Sequence, residues 1–323
     1  MKLMRYVCLF VMLAAVFPLT AAPAIELSGF LETRMEYVTG DDSKFDPTAN
    51  LELWFDAKLN DWLSASITLG SSYDDRAFGV SLGGAFLEAS KESVSLGIGL
   101  FDVPFGIASE WYSAPFNAFA YAPGTTDLFL NEWWGGYGAY AAFKTDQFGL
   151  TAYLVDGEIW ESTPLLPADN GLAGGFRMTF SPAEAISVGI SYAMNAHYTG
   201  DKISLLAGDV ELALGPLTLT YQYTAMMPKF EFGDREDAWF GQAMFSLEEI
   251  AKIPLALGAR FDYFSTGLGL GETADDAANA ITFQVSYQVE EVLRVGLSFR
   301  TSSVYDGSDK LPSEIMLQVM GMF

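Results

Sequence analysis

Residues 281–289 read ITFQVSYQV, in which every odd-numbered side chain is apolar and every even-numbered one is polar. Because successive side chains of a β-strand point to opposite faces, this alternation predicts a strand with one apolar and one polar face. The same rhythm continues in residues 293–300 and in the C-terminal residues 314–323, and it recurs along the chain from residue 25 onward. The sequence therefore predicts an all-β fold.

Sixteen such segments can be distinguished, and the connectors between them alternate in length. Short connectors such as residues 60–61 and 215–216 alternate with long ones such as residues 102–133 and 156–170. An even number of antiparallel strands, with tight turns at one end and long loops at the other, is typical of outer-membrane barrels. We predict a closed transmembrane antiparallel β-barrel over residues 25–323, with about 16 strands and bounds of about 14 and 18.

The first 24 residues have the features of a cleaved secretory signal peptide. Lys2 and Arg5 precede an apolar run, and residues 22–24 (Ala-Pro-Ala) fit the small-x-small cleavage rule. After this leader no apolar run is long enough for a membrane helix. A soluble sandwich or propeller would also alternate, but the leader and the loop asymmetry together favour the barrel. Cys8 is the only cysteine and lies in the leader, so residues 25–323 have no thiol for a disulfide or a metal site.

The chain is strongly acidic, with 41 Asp and Glu against 17 Lys and Arg and a net charge of −24. This balance disfavours nucleic acid as a partner, because binding to phosphates needs clustered basic residues. Many acidic residues lie in predicted external loops, as in residues 41–46 and 231–237. They could bind divalent ions beside anionic headgroups, but none has the spacing of a calcium-binding loop. We expect solvated loops, and neither a metal site nor a cofactor.

Residues 102–133, DVPFGIASEWYSAPFNAFAYAPGTTDLFLNEW, interrupt the strand pattern. A segment of about thirty residues without a period is usually functional or disordered, and its aromatic content argues against disorder. We predict that it folds into the barrel and narrows a pore. This constriction loop contains no basic residue, and its acidic residues are Asp102, Glu110, Asp127 and Glu132.

The two-residue period also places basic side chains on the inward face of the wall. These residues are Arg34, Lys58, Arg177, Arg260, Arg294 and Arg300. One hypothesis is that they face the acidic loop across the pore and create a transverse field, while the acidic side chains favour cations. The alternative is that each pairs with a neighbouring carboxylate, such as Glu32, Glu36 or Asp262, and only stabilises the wall.

Several motifs resemble known families. The chain ends on Phe323 with apolar residues at every second position before it, which resembles the C-terminal signal that the insertion machinery of the bacterial outer membrane reads. The long insert is the third external loop, and in general porins that loop folds inward to form the eyelet. Residues 96–106 (LGIGLFDVPFG), 134–140 (WGGYGAY) and 153–157 (YLVDG) resemble siderophore-type porins. The Pro-Phe-Gly element within them resembles the phosphate-selective porins, whose lysine-rich arches are absent.

The resemblance to porins implies a location in the Gram-negative cell outer membrane, contact with its lipid and lipopolysaccharide, and a homotrimer. It also implies passive diffusion of small hydrophilic solutes and ions, with a preference for cations from the acidic loop. One alternative is a channel selective for a siderophore or an oxyanion. An outer-membrane barrel hydrolase is the alternative of another class. It is disfavoured because the lone His197, in a predicted loop at residues 195–203, has no Ser-centred motif near it, and we expect no enzyme activity.

Overall fold

The computed structural model describes residues 25–39, 43–74, 77–107, 119, 134–156, 172–198, 201–228, 236–266, 276–290, 292–304 and 313–323. The predicted signal peptide lies outside these ranges. The strands form one sheet in which each is hydrogen-bonded to its neighbours in the chain, and the last strand pairs with the first. The sheet is therefore a closed antiparallel barrel.

The barrel has sixteen strands, as the sequence predicts: β1 (Ile25–Val38), β2 (Lys44–Lys58), β3 (Leu63–Asp74), β4 (Ala77–Lys91), β5 (Val94–Asp102), β6 (Gly135–Lys144), β7 (Phe148–Asp156), β8 (Leu172–Ala183), β9 (Ile186–Tyr198), β10 (Asp201–Leu214), β11 (Leu217–Pro228), β12 (Glu236–Ser246), β13 (Leu255–Thr266), β14 (Asp276–Val289), β15 (Leu293–Val304) and β16 (Glu314–Met322). A short helix, α1 (Glu248–Ala251), connects β12 to β13. Within the described ranges no helix is long and apolar enough to cross a membrane.

Closure is made by β1 and β16, which pair from Phe30 opposite Met322 to Val38 opposite Glu314. The backbone of Phe323 continues this ladder, since its N–H donates to the Gly29 carbonyl and its own carbonyl accepts from the Gly29 N–H, both at 3.1 Å. A closed ladder leaves no unpaired edge, which a sheet surrounded by lipid requires. The Phe323 side chain is exposed on the outer surface.

The two faces of the wall are inverted relative to a soluble protein. On β14 the apolar side chains of Ile281, Phe283 and Val285 point outward and are 40%, 54% and 43% exposed. The polar side chains of Thr282 and Gln284 point inward and are buried. An apolar outside and a polar inside are the arrangement of a membrane barrel, so the two-residue period assigns the faces correctly here.

The strands reach further toward the long-loop end than the sequence pattern suggests. β9 continues to Tyr198 and β10 begins at Asp201, so His197 lies within a strand and the predicted loop at residues 195–203 is wrong in its extent. Asn195 has a positive φ of 57°, and the register shifts nearby between Ile203 and Leu205. Such a bulge breaks the two-residue rhythm while backbone pairing continues, which explains why the pattern misses the end of the strand.

Candidate functional site: the barrel interior and the segment that enters it

After β5 ends at Asp102, the chain turns into the barrel. Val103, Phe105 and Ile107 are all buried, and the backbone N–H of Val103 donates to the Trp134 carbonyl at 2.8 Å, which joins the two ends of the insert. These side chains pack on inward residues of β7 to β12. The cluster consists of Phe101, Val103, Phe105, Trp134, Tyr153, Val155, Ala173, Ala193, Ile203, Leu205, Ala207, Met226 and Ala238.

The alanines of this cluster leave room on the wall for the entering chain. Burial of the Phe105 side chain alone contributes about 1.5–3 kcal/mol of hydrophobic free energy. The Phe105 ring lies 6.3 Å from the Trp134 ring, and Trp134 makes an edge contact with Tyr153 at 6.1 Å. Residues 103–107 are therefore held against the wall by an apolar core inside the barrel, on the side formed by β7 to β12.

Gly106 is the bend of this entering segment, with a φ of +70°. Its backbone N–H donates to the Ser191 hydroxyl on β9 at 2.9 Å. A Cβ at this position would lie 2.7 Å from Oε1 of Gln222 on β11. Only glycine combines the left-handed φ with so close an approach to the wall. Ile107 then packs with Phe240 of β12.

Phe119 is the next described residue of the insert, and it lies inside the barrel. Its side chain is fully buried, and its ring centroid lies 5.0 Å from Cζ of Arg260, an inward residue of β13. The predicted inward fold of this loop is thus confirmed for residues 103–107 and 119. Three of its predicted acidic residues, Glu110, Asp127 and Glu132, lie outside the described residues. Asp102 is the last residue of β5 and its side chain is exposed.

All six basic residues named from the sequence lie on the inward face, and the described contacts include ion pairs of Arg34, Arg177, Arg260 and Arg300 with carboxylates of the same wall. Arg34 contacts Glu32 at 2.8 Å, and Arg260 contacts Asp262 at 2.9 Å. Arg300 lies 3.9 Å from Glu314. These contacts agree with the alternative hypothesis, in which basic residues of the wall pair with neighbouring carboxylates.

Arg177 makes the most extensive of these pairs. Its guanidinium donates to both carboxylate oxygens of Asp209, at 2.8 and 3.2 Å, and to the Ser191 hydroxyl at 3.2 Å. Both charged side chains are buried. The pair spans β8 and β10 across the intervening β9, so it ties three strands together. A buried, hydrogen-bonded pair neutralises its own charge within the wall.

The other two basic residues lie near the short-turn end of the barrel. Lys58 lines a cavity of about 690 Å³ at the ends of β1 to β4, together with Glu26, Asp56, Asp61 and Glu92. Arg294 of β15 and Glu32 of β1 are both in register with Met320 of β16, so they lie on either side of that strand. The role of these basic residues in a pore stays a prediction.

Partly exposed inward side chains lie on β2 to β4. On β2 to β4 the inward side chains of Glu52, Ser66 and Glu88 are partly exposed. On β11 and β12 the inward Gln222 and Gln242 are buried. Residues 103–107 and 119 contact inward side chains of β7 to β13, and Glu88 of β4 lies at the edge of the apolar cluster because its partner Tyr140 packs against that cluster.

No known protein-family profile matches the sequence, and no curated protein sequence is similar to it. Solved structures are similar over nearly the whole chain. A Salmonella typhi OmpF in complex with daunomycin has a TM-score of 0.68 at 16% identity, covering 93% of this chain and 97% of its own. An anion-selective porin from Comamonas acidovorans has 0.67 at 12% identity, covering 94% and 100%. An in-vitro folded OmpT of Vibrio cholerae, in a trimer form, has 0.65 at 12% identity, also covering 94% and 100%.

The chain has the fold of the outer-membrane porins. None of these three structures is described as a siderophore or phosphate channel, so that finer resemblance stays a prediction. The three also differ in description, because one is called anion-selective. The porin fold by itself therefore leaves the preference between cations and anions to the side chains that line the interior.

In this porin fold the accessible wall carries acidic residues that the sequence analysis did not single out, namely Glu52, Asp56 and Glu88. Glu52 accepts a hydrogen bond from the Trp54 indole, and Glu88 accepts one from the Tyr140 hydroxyl. Asp56 accepts from the Ser66 hydroxyl at 2.5 Å. The donors to Asp56 and Glu88 are neutral, so these hydrogen bonds orient the two carboxylates and leave their negative charge. The two-residue period of the sequence predicts that all three side chains point inward. Whether they are exposed depends on which part of the wall the inserted segment covers.

Proposed function

We propose that the protein is an outer-membrane porin, a passive diffusion channel for small hydrophilic solutes and ions with a preference for cations. The observation that carries the proposal is the closed sixteen-strand barrel with the described part of the connector between β5 and β6 folded inside. Barrels of this size leave an aqueous channel, whereas barrels of eight strands fill with side chains. Diffusion is then controlled where the inserted segment narrows the interior.

The charge of the accessible wall supports the preference for cations. Arg34, Arg177 and Arg260 each have a carboxylate partner within 3 Å, so their positive charge is largely compensated. Asp56 and Glu88 are in no ion pair within the described ranges, and Asp56 is exposed while Glu88 is partly exposed. The exposed Lys58 lies two residues further along β2. Acidic side chains that line a pore raise the local concentration of cations. The basic wall therefore contributes less to the transverse electric field than its number of arginines suggests.

A channel selective for an oxyanion is less consistent with this wall, because it needs cations that are free to bind the solute. The same geometry supports a transport role more than a hydrolytic one, since residues 103–107 and 119 lie inside the barrel and would narrow a channel through it. We also propose, from the resemblance of the sequence, that residues 1–24 direct export and that the Phe323 strand is read by the insertion machinery. A homotrimer in contact with outer-membrane lipid and lipopolysaccharide is the proposed assembly, in line with the trimer form of the Vibrio cholerae OmpT.

The proposal is tested by reconstituting the refolded protein into a planar lipid bilayer under a KCl gradient. We expect step-like increases in conductance, and a reversal potential with the sign of a channel that is more permeable to K⁺ than to Cl⁻. A reversal potential of the opposite sign would contradict the preference for cations. The absence of any conductance from correctly folded barrel would contradict the porin function itself.

A further inference from the structure

The function proposed above does not explain why Phe119 contacts β13. Phe119 lies against three inward residues, Met244 of β12 and Gly258 and Arg260 of β13, which together with Asp262 we name the β13 seat. A Cβ on Gly258 would lie 2.7 Å from Cζ of Phe119 and 2.6 Å from Sδ of Met244. The absence of a side chain at Gly258 therefore creates the space that the phenylalanine ring occupies.

Arg260 forms the charged side of the seat. Its Nε donates to Oδ2 of Asp262 at 2.9 Å, and neither side chain is exposed. Its Cζ lies 5.0 Å from the centroid of the Phe119 ring. The attraction between a guanidinium and an aromatic face is stronger when the pair is shielded from water. Asp262 holds the guanidinium in place while the ring covers it, so Arg260 belongs to the contact with the insert and not to the accessible wall.

We infer that the β13 seat is a second anchor that positions the inserted segment inside the barrel. The first anchor is the apolar cluster around residues 103–107. Phe119 lies between Ile107 and Trp134 in the chain, so its attachment to the wall fixes the insert at a point between its two ends. The seat thereby sets the width of the passage. This inference rests on the proposed porin function, and Phe119, Gly258 and Arg260 are positioning residues within it.

The electrical test compares Phe119→Ala and Gly258→Val with the wild type in a planar bilayer. The first variant removes the ring, and the second fills its place on the wall. Both should increase the single-channel conductance and the noise of the open current. The matched control is Phe261→Ala on the same strand, because Phe261 points outward and contacts Trp239 at 5.2 Å. The control should conduct as the wild type does.

Limited proteolysis gives a second readout that does not need a conducting pore. The insert contains many aromatic residues but no Lys or Arg, so chymotrypsin can cleave it and trypsin cannot. In detergent-folded barrel, both variants should lose protection against chymotrypsin within residues 108–133, while the trypsin pattern stays unchanged and shows that the barrel is intact. Protection and conductance equal to the wild type in both variants would overturn the anchor. A wild type without conductance, whose variants still lose protection, would overturn the porin function and leave the anchor standing.

Discussion

At the scale of single residues, Gly106 controls how the insert enters the barrel. Two independent constraints act on it, a φ of +70° and the 2.7 Å approach of a would-be Cβ to Gln222. A side chain at this position would strain the backbone and push the segment away from β11. Since the neighbouring Phe105 and Ile107 are buried on either side of the bend, the strain would be transmitted to the apolar cluster.

We therefore expect Gly106→Val to lower the free energy of unfolding by about 1–3 kcal/mol and to alter the conductance. The measurement is urea unfolding of the detergent-folded barrel, followed by bilayer recording. Gly208→Ala is the control, because a Cβ there meets no atom within 4 Å, and its effect should stay within about 0.5 kcal/mol. A valine variant as stable as the alanine control would show that the bend does not constrain the segment.

The ion pairs of the inner wall show why residue type alone was an incomplete guide to the pore wall. Arg34, Arg260 and Arg300 were placed correctly on the inward face, yet the structure gives each a carboxylate neighbour. The odd or even position of a residue in a strand indicates which side of the sheet its side chain faces. It does not tell whether an inward charge is exposed to solvent, because that depends on the elements packed against it.

At the scale of elements, β2 and β4 present the accessible acidic wall. Asp56 and Glu88 lie on the inward faces of these strands, opposite Ser66 and Ser64 of β3 respectively. The Asp56 side chain is exposed and the Glu88 side chain is partly exposed. If the ion preference comes from this wall, it should respond to these two residues and not to acidic residues elsewhere on the surface.

The variants Asp56→Asn and Glu88→Gln test this assignment, since both keep an oxygen acceptor and remove the charge. One charge about 8 Å from a permeating ion contributes roughly 0.5 kcal/mol in water, so each variant should lower the ratio of cation to anion permeability about twofold at low salt. The reversal potential under a KCl gradient measures this ratio. Glu248→Gln on α1 is the matched control, as it removes the same charge outside the barrel wall. An equal shift of the reversal potential in the control would show that the preference for cations comes from the net charge of the protein and not from this wall.

At the scale of the whole molecule, a chain with a net charge of −24 forms a closed barrel whose partly exposed inner wall on β2 to β4 carries Glu52, Asp56 and Glu88 beside Lys58. The barrel holds the strands in place, and the inserted segment is attached to one side of it. The two roles are separate: closure depends on backbone pairing from β1 to β16, and selectivity depends on the side chains left exposed. This separation explains how an anion-selective porin can share the same fold.

The preference for cations should weaken as the salt concentration rises. Screening shortens the reach of a charge from about 10 Å at 0.1 M to about 3 Å at 1 M. We expect the permeability ratio, measured at a fixed KCl ratio across the bilayer, to fall steadily as both concentrations increase. A ratio that does not depend on salt would indicate selection by size or by a dehydrated binding site instead of by the charge of the wall.

The sequence by itself determined the strands, their two faces, the closed barrel and the place of the insert, because alternation is a local property of extended backbone and needs no knowledge of distant residues. It could also indicate that residues 102–133 enter the interior, from their length and aromatic content. Only the tertiary structure decided that Phe119 lies on Gly258 and Arg260, that Arg177 reaches Asp209 across β9, and that Asp56 and Glu88 remain accessible. Those relations join parts of the chain that are far apart in sequence, and their distances depend on barrel closure and on which wall the insert covers.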